Sequence, residues 1–135
     1  MLSSEDQFRE LLAQLIGRAD RMLAERKEIF PMGLLLRRDG TLDVSVAAYD
    51  DTDQIPDLLN AMQASLSEKA AAADAVAACI AYPDYDASEL VAFLENRQSY
   101  CAKARLPVLQ QAAPCIDAER IIIEKGTVHV FPADG

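Results

Sequence analysis

The stretch GLLLRRDGTLDVSVAAY, residues 33–49, admits few structures, because its turn chemistry and its apolar alternation must agree on one register. A two-residue Asp39-Gly40 loop would set Leu36 opposite Asp43 and Leu34 opposite Ser45. A three-residue loop, Arg38-Asp39-Gly40, instead sets Leu36 opposite Leu42 and Leu34 opposite Val44. Strand side chains alternate with period two, so a slip of one residue sends the whole apolar set to the wrong face. Only the longer loop gathers the leucines and valines together, and it puts Gly40 where the chain needs a positive φ. The expectation is a hairpin with a G1 bulge.

Helical spacing flanks it. Phe8, Leu11, Leu12, Leu15, Ile16, Ala19, Met22 and Leu23 form one apolar stripe, predicting a helix over 4–28. Ser4 and Gln7 suit a capping box, and Pro31 forbids continuation. After the hairpin, Asp50-Asp51-Thr52-Asp53 leads into Ile55, Leu58, Leu59, Met62, Leu66 and Ala70. Acids favour the positive end of a helix and Pro56 is tolerated in a first turn, so a second helix is expected over 53–73. AVAACIAY alternates bulky Val76, Ile80 and Tyr82 with small residues, as in a strand against which a helix packs closely.

SELVAFLENRQSYCAKARLPV, residues 88–108, has two readings. As a helix it would group Leu90, Phe93, Leu94 and Cys101, with Arg97 interrupting the stripe. As a hairpin, 90–95 and 99–106 are each of strand length around the turn residues Asn96–Ser99. Periodicity does not separate the two. QQAAPCIDA, within 108–118, reads as a linker or short helical turn. ERIIIEKGTVHVF, residues 119–131, reads as a C-terminal hairpin with Ile121 and Ile123 opposite Val130 and Val128 if Lys125-Gly126 turn.

Phe30-Pro31, Gly33, Asp39-Gly40, Glu95, Arg97, Leu106 and Pro107 sit on a pattern that resembles a family of small uncharacterised bacterial proteins. That pattern is F-x-P-F-x-x-x-L-x-x-D-G, a helix, a strand, then an "lEhr-g-a" hairpin closing in Leu-Pro. It covers roughly Glu28 to Pro107, with Asn96 where histidine is common and no clear counterpart of the Ile121–Phe131 hairpin. The resemblance implies a hairpin for 88–108, so that 75–107 supplies three strands. It implies no activity and no catalytic residue, since the family has none established. The expected fold is a single α+β domain over 1–135: a mostly antiparallel sheet of five or more strands with helices packed on it, in the order α-β-β-α-β-β-β plus the C-terminal hairpin. That order is similar to roadblock and profilin-like domains, which are largely scaffolds and regulators.

With 135 residues the chain is long enough to bury one core. Its net charge of −9 is uneven: residues 1–38 carry seven basic against six acidic groups, and 39–135 six against sixteen. The latter part, at −10, would repel a phosphate backbone, so no nucleic-acid partner is expected. No run reaches the ~20 apolar residues of a membrane span, and no secretory leader is legible, so a cytoplasmic address and no membrane partner are expected. Cys79, Cys101 and Cys115 are too widely spaced for a zinc site or a disulfide framework and read as small hydrophobes.

His129, the only histidine, lies between two valines of an alternating segment and reads first as a sheet residue. Asp50, Asp51 and Asp53, and Asp84 with Asp86, are the acidic clusters. They lack the glycine and distal glutamate of a calcium loop, and capping and turn formation explain both. Glu95 and Glu124 each precede an expected turn. Phosphate-binding and nucleophile-elbow motifs are absent, so no catalytic residue, metal or cofactor is assigned.

Two function classes remain. A non-catalytic interaction or regulatory module would use Asp50, Asp51, Asp53, Asp84 and Asp86 against another protein's basic surface. The alternative is a small enzyme or ligand-binding domain that uses carboxylates. Leu35, Val91, Phe93 and Ile122 would line a sheet face that one helix pair leaves bare, which suggests a homodimer.

Overall fold

A computed structural model describes residues 3–26, 28–46, 55–72, 75–84, 87–97, 100–109 and 114–126, beginning with α1 at Ser4–Arg26. The cap of α1 is Ser3 rather than Ser4. Ser3 Oγ accepts a hydrogen bond from the Asp6 N–H at 3.1 Å, and Ser3 O accepts one from the Gln7 N–H at 2.9 Å. Leu11, Leu15, Ala19 and Leu23 are the buried stripe of α1. Each such leucine removed from water contributes about 1.5–3 kcal/mol.

The first hairpin pairs β1, Met32–Arg37, with β2, Leu42–Val46, in the expected register: Leu36 opposite Leu42 and Leu34 opposite Val44. Gly40 has φ +91°, a conformation cheap only for glycine. Its N–H donates to Arg37 O at 3.0 Å, while the Arg37 N–H donates to Thr41 O at 2.9 Å. Asp39 Oδ1 accepts from the Thr41 hydroxyl at 2.6 Å and from the Thr41 N–H at 2.9 Å, tying the loop to β2.

After α2, Ile55–Ala72, come β3 at Ala75–Asp84, β4 at Glu89–Asn96 and β5 at Cys101–Leu109. The 88–108 region is a hairpin, with Leu90 opposite Leu106 and Leu94 opposite Ala102. Asn96 closes its turn twice: its N–H donates to Tyr100 O, and its Oδ1 accepts from the Tyr100 N–H, both at 3.1 Å. The sheet runs β2-β1-β3-β4-β5, antiparallel throughout, and two further strands share the outer edge of β5.

Those two strands differ from expectation. Residues 108–118 are more than a linker: β5 continues to Leu109, and β6, Cys115–Ile116, pairs with Val108 and Leu109. A 3-10 turn at Ala118–Arg120 follows, then β7, Ile122–Lys125, pairs with Ala102–Arg105. Between β6 and β7 the register against β5 slips by three residues, the length of that turn. The two are one strand interrupted once. Gly126 stays on the same ladder, its N–H donating to Cys101 O at 3.3 Å. The return strand expected near 128–131, His129 included, lies outside the described residues.

Among the described residues, the result is an α+β fold of two helices and a seven-stranded antiparallel sheet. The helices lie on opposite faces. α1 packs on Met32, Leu34 and Leu36, the small residues Ala77, Cys79 and Ala81, and Leu90, Leu94 and Leu106. α2 sets Met62 and Leu66 against Leu35, Ala78 and Ile80. Gly33 leaves room for that second approach, since a Cβ there would lie 2.9 Å from Leu66 Cδ1. The bare apolar face expected for Leu35, Val91, Phe93 and Ile122 is thereby corrected. Leu35 and Val91 are buried, Phe93 is half-buried, and Ile122 alone is exposed.

Candidate functional site

Of the five aspartates singled out by the sequence, Asp84 is among the described residues; Asp50, Asp51, Asp53 and Asp86 lie outside them. Asp84 ends β3, and its Oδ1 accepts from the Ala87 N–H at 3.3 Å. Ser88 follows in the left-handed region at φ +53°, and its carbonyl accepts from the Val108 N–H at 2.9 Å. Asp84 thus does what aspartates do at turns.

Glu95 and Glu124 part company. Glu124 is an exposed β7 residue, its carboxylate 3.4 Å from Arg105 Nε. Glu95 is only 2% exposed, so it is not a surface residue beside a turn. It faces Cys101 across the β4–β5 ladder. Burial first, and the Glu95 charge second, push the Cys101 thiol up. Cys79, wholly buried beneath α1, is pushed up to about 12 by desolvation alone. None of the three cysteines is in a disulfide. A nucleophilic cysteine needs a lowered pKa, and neither of these two thiols has one.

The face of β4, β5 and β7 turned away from α1 is a charged ladder. Arg105 stands between Glu89 and Glu124, 3.4 Å from each carboxylate, and so links three strands. Beside it, the Lys103 ammonium sits 5.6 Å from the centre of the Phe93 ring, which in turn stacks on Tyr82 at 6.1 Å. Opposite charges so interleaved satisfy one another.

The opposite face holds a groove of about 500 Å³ between α1 and the strand edge. Phe8, Leu12 and Ile16 form one wall; Leu94, Ile121 and Ile123 line the rest. Glu5 and Arg9 also border it, and Arg9 is engaged at 3.1 Å by Glu5 and at 3.5 Å by Asp6. A catalytic pocket of this size would bring several polar groups together on one point, and this lining is apolar.

Sequence reasoning missed the buried amide pair beside the groove. Asn96 Nδ2 donates to Gln7 Oε1 at 3.1 Å, joining α1 to the β4–β5 turn. Both side chains are buried, Asn96 to 1% exposure. A glutamine three residues beyond a serine looks like a cap, which masked this use.

Among the described residues, no group of three or more His, Cys, Asp or Glu can hold a metal ion. Nor is any described helix long and apolar enough to cross a membrane. Set against protein-family models, curated proteins and solved structures, the chain matches none.

Proposed function

We propose that this chain is a non-catalytic protein-interaction or regulatory module whose acidic part engages a basic surface on another protein. The observation that carries the reading is the charge division: −10 over residues 39–135 against +1 over 1–38. Such an imbalance steers encounter with a cationic partner more than it adds affinity. The described side chains support the same reading. The thiols of Cys79 and Cys101 are held protonated, Glu124 is ion-paired, and the groove of about 500 Å³ beside α1 is lined mainly by apolar side chains. The order of elements, similar to roadblock and profilin-like scaffolds, points the same way by analogy alone.

Asp50, Asp51, Asp53, Asp84 and Asp86 are the residues proposed to meet the partner. The experiment is affinity capture from the native cell, followed by association kinetics with the captured protein. On-rate should fall as salt rises, because screening acts beyond a Debye length of about 8 Å at physiological ionic strength. Charge reversal at Asp50, Asp51 and Asp53 should lower the on-rate more than it raises the off-rate. If these residues only cap α2, reversal will lower thermal stability and leave association unchanged. A salt-independent on-rate would overturn the proposal, and so would turnover of a small substrate abolished by one carboxylate substitution.

A further inference from the structure

β2 is the terminal strand of the sheet, with β1 on one side and no described strand on the other. The Arg37 N–H donates to Thr41 O, so Thr41 points its carbonyl inward at β1. Antiparallel pairing then alternates: Asp43 and Ser45 bond to β1, while Leu42, Val44 and Val46 point N–H and C=O outward. No described residue pairs with that edge. Natural edge strands are guarded by lysine, proline, a bulge or a free charge. β2, LDVSV, has neither lysine nor proline, and its one charge is taken: Asp43 Oδ2 accepts from Arg37 at 2.6 and 2.9 Å.

We propose that two copies of this chain associate through β2, strand to antiparallel strand, about a two-fold axis at Val44. In that register Val44 faces the second copy's Val44, and Leu42 faces its Val46. Every outward group meets an outward group, giving roughly six backbone hydrogen bonds across the axis. Leu42, Val44 and Val46 stand opposite Leu36, Leu34 and Met32, on the face that α1 covers, so the new cross-strand pairs are apolar. Val46, 48% exposed in the single chain, gains a neighbour.

Charge agrees on the other face. Ser45 meets the second copy's Asp43, and Lys69 Nζ already lies 3.5 Å from Ser45 Oγ. Each Lys69 is thus delivered to the other copy's aspartate. Closed two-fold pairing of this kind uses one patch twice and stops at a dimer.

The test is backbone amide exchange on the wild-type chain at low and high concentration, with sedimentation at the same concentrations. Asp43 and Ser45 amides should be protected throughout, while Leu42, Val44 and Val46 become protected only as the dimer forms. Val46→Lys should weaken dimerisation by about tenfold or more and leave circular dichroism unchanged. Lys69→Glu should weaken it by a smaller factor that shrinks in high salt. Monomer alone at tens of micromolar would overturn the proposal. So would a dimer in which the Leu42, Val44 and Val46 amides still exchange rapidly.

Discussion

Gly33 and Gly126 differ in what an added methyl group would meet, and the difference sets the cost. At Gly33 it would press on Leu66 Cδ1 at 2.9 Å and Met62 Sδ at 3.1 Å, both ends of side chains that can turn aside. At Gly126 it would lie 2.7–2.8 Å from backbone atoms of Ala102, which cannot. Gly126→Ala should therefore cost about 1–3 kcal/mol in urea denaturation, and Gly33→Ala less. Asn96→Ala removes the bond to Gln7 together with the acceptor for Tyr100, and should cost about 1–3 kcal/mol. A double-mutant cycle with Gln7→Ala should then show coupling between residues far apart in the chain. Asp39 makes a pH prediction. The Thr41 hydroxyl first, and its N–H second, hold the Asp39 carboxyl below the ordinary aspartate range. A depressed folded-state pKa means a contribution present above the unfolded-state value and lost as pH falls through the folded one. NMR titration should find the Asp39 pKa low in the wild type and higher in Thr41→Val. Asp39→Asn should lack that part of the acid-induced loss of stability.

Elements were legible where two local signals had to agree. The β1–β2 register followed from loop length and alternation together, and Gly40 at φ +91° is the residue both required. The start of α1 at Ser4 was legible from the apolar stripe, while the bond from the Asp6 N–H to Ser3 Oγ shows only in the geometry. Ser3→Ala should lower stability by about 1 kcal/mol, readable as a drop in Tm. The β6–β7 edge was not legible for a stronger reason. A two-residue strand has no period, and its pairing is dictated by the free edge of β5. Sidedness was hidden too: β1 is apolar on both faces, as Leu34 and Leu35 show, so patterning did not say which face each helix would take. Of the candidate site, the turn role of Asp84 was readable from residue type. The burial of Glu95 was not, since it depends on neighbours drawn from β3 and β5.

At the scale of the whole molecule, one sheet separates two unequal cores, and Cys79 lies at the bottom of the larger one. Its thiol is wholly buried and pushed up to about 12, so native protein at mildly alkaline pH should resist alkylation there. Half-buried Cys101 and Cys115 should be modified first, with Cys79 following only as fast as the whole structure opens. Mass spectrometry over a time course reads the order, and denaturation without reductant should give three labels at once. The anchors of α1 bear on how the chain reaches this state. Gln7 waits for Asn96, 89 residues later, and Asp20 accepts the Ile116 N–H at 2.7 Å across 96 residues. At translation rates of about 5–20 residues per second, roughly 5–20 seconds separate the synthesis of the helix from that of its anchors. Until the chain has passed Ile123, the groove beside Phe8, Leu12 and Ile16 lacks its far wall. A ribosome stalled short of Ile116 would hold out an oily helix face only part covered, the sort of surface that nascent-chain chaperones grip.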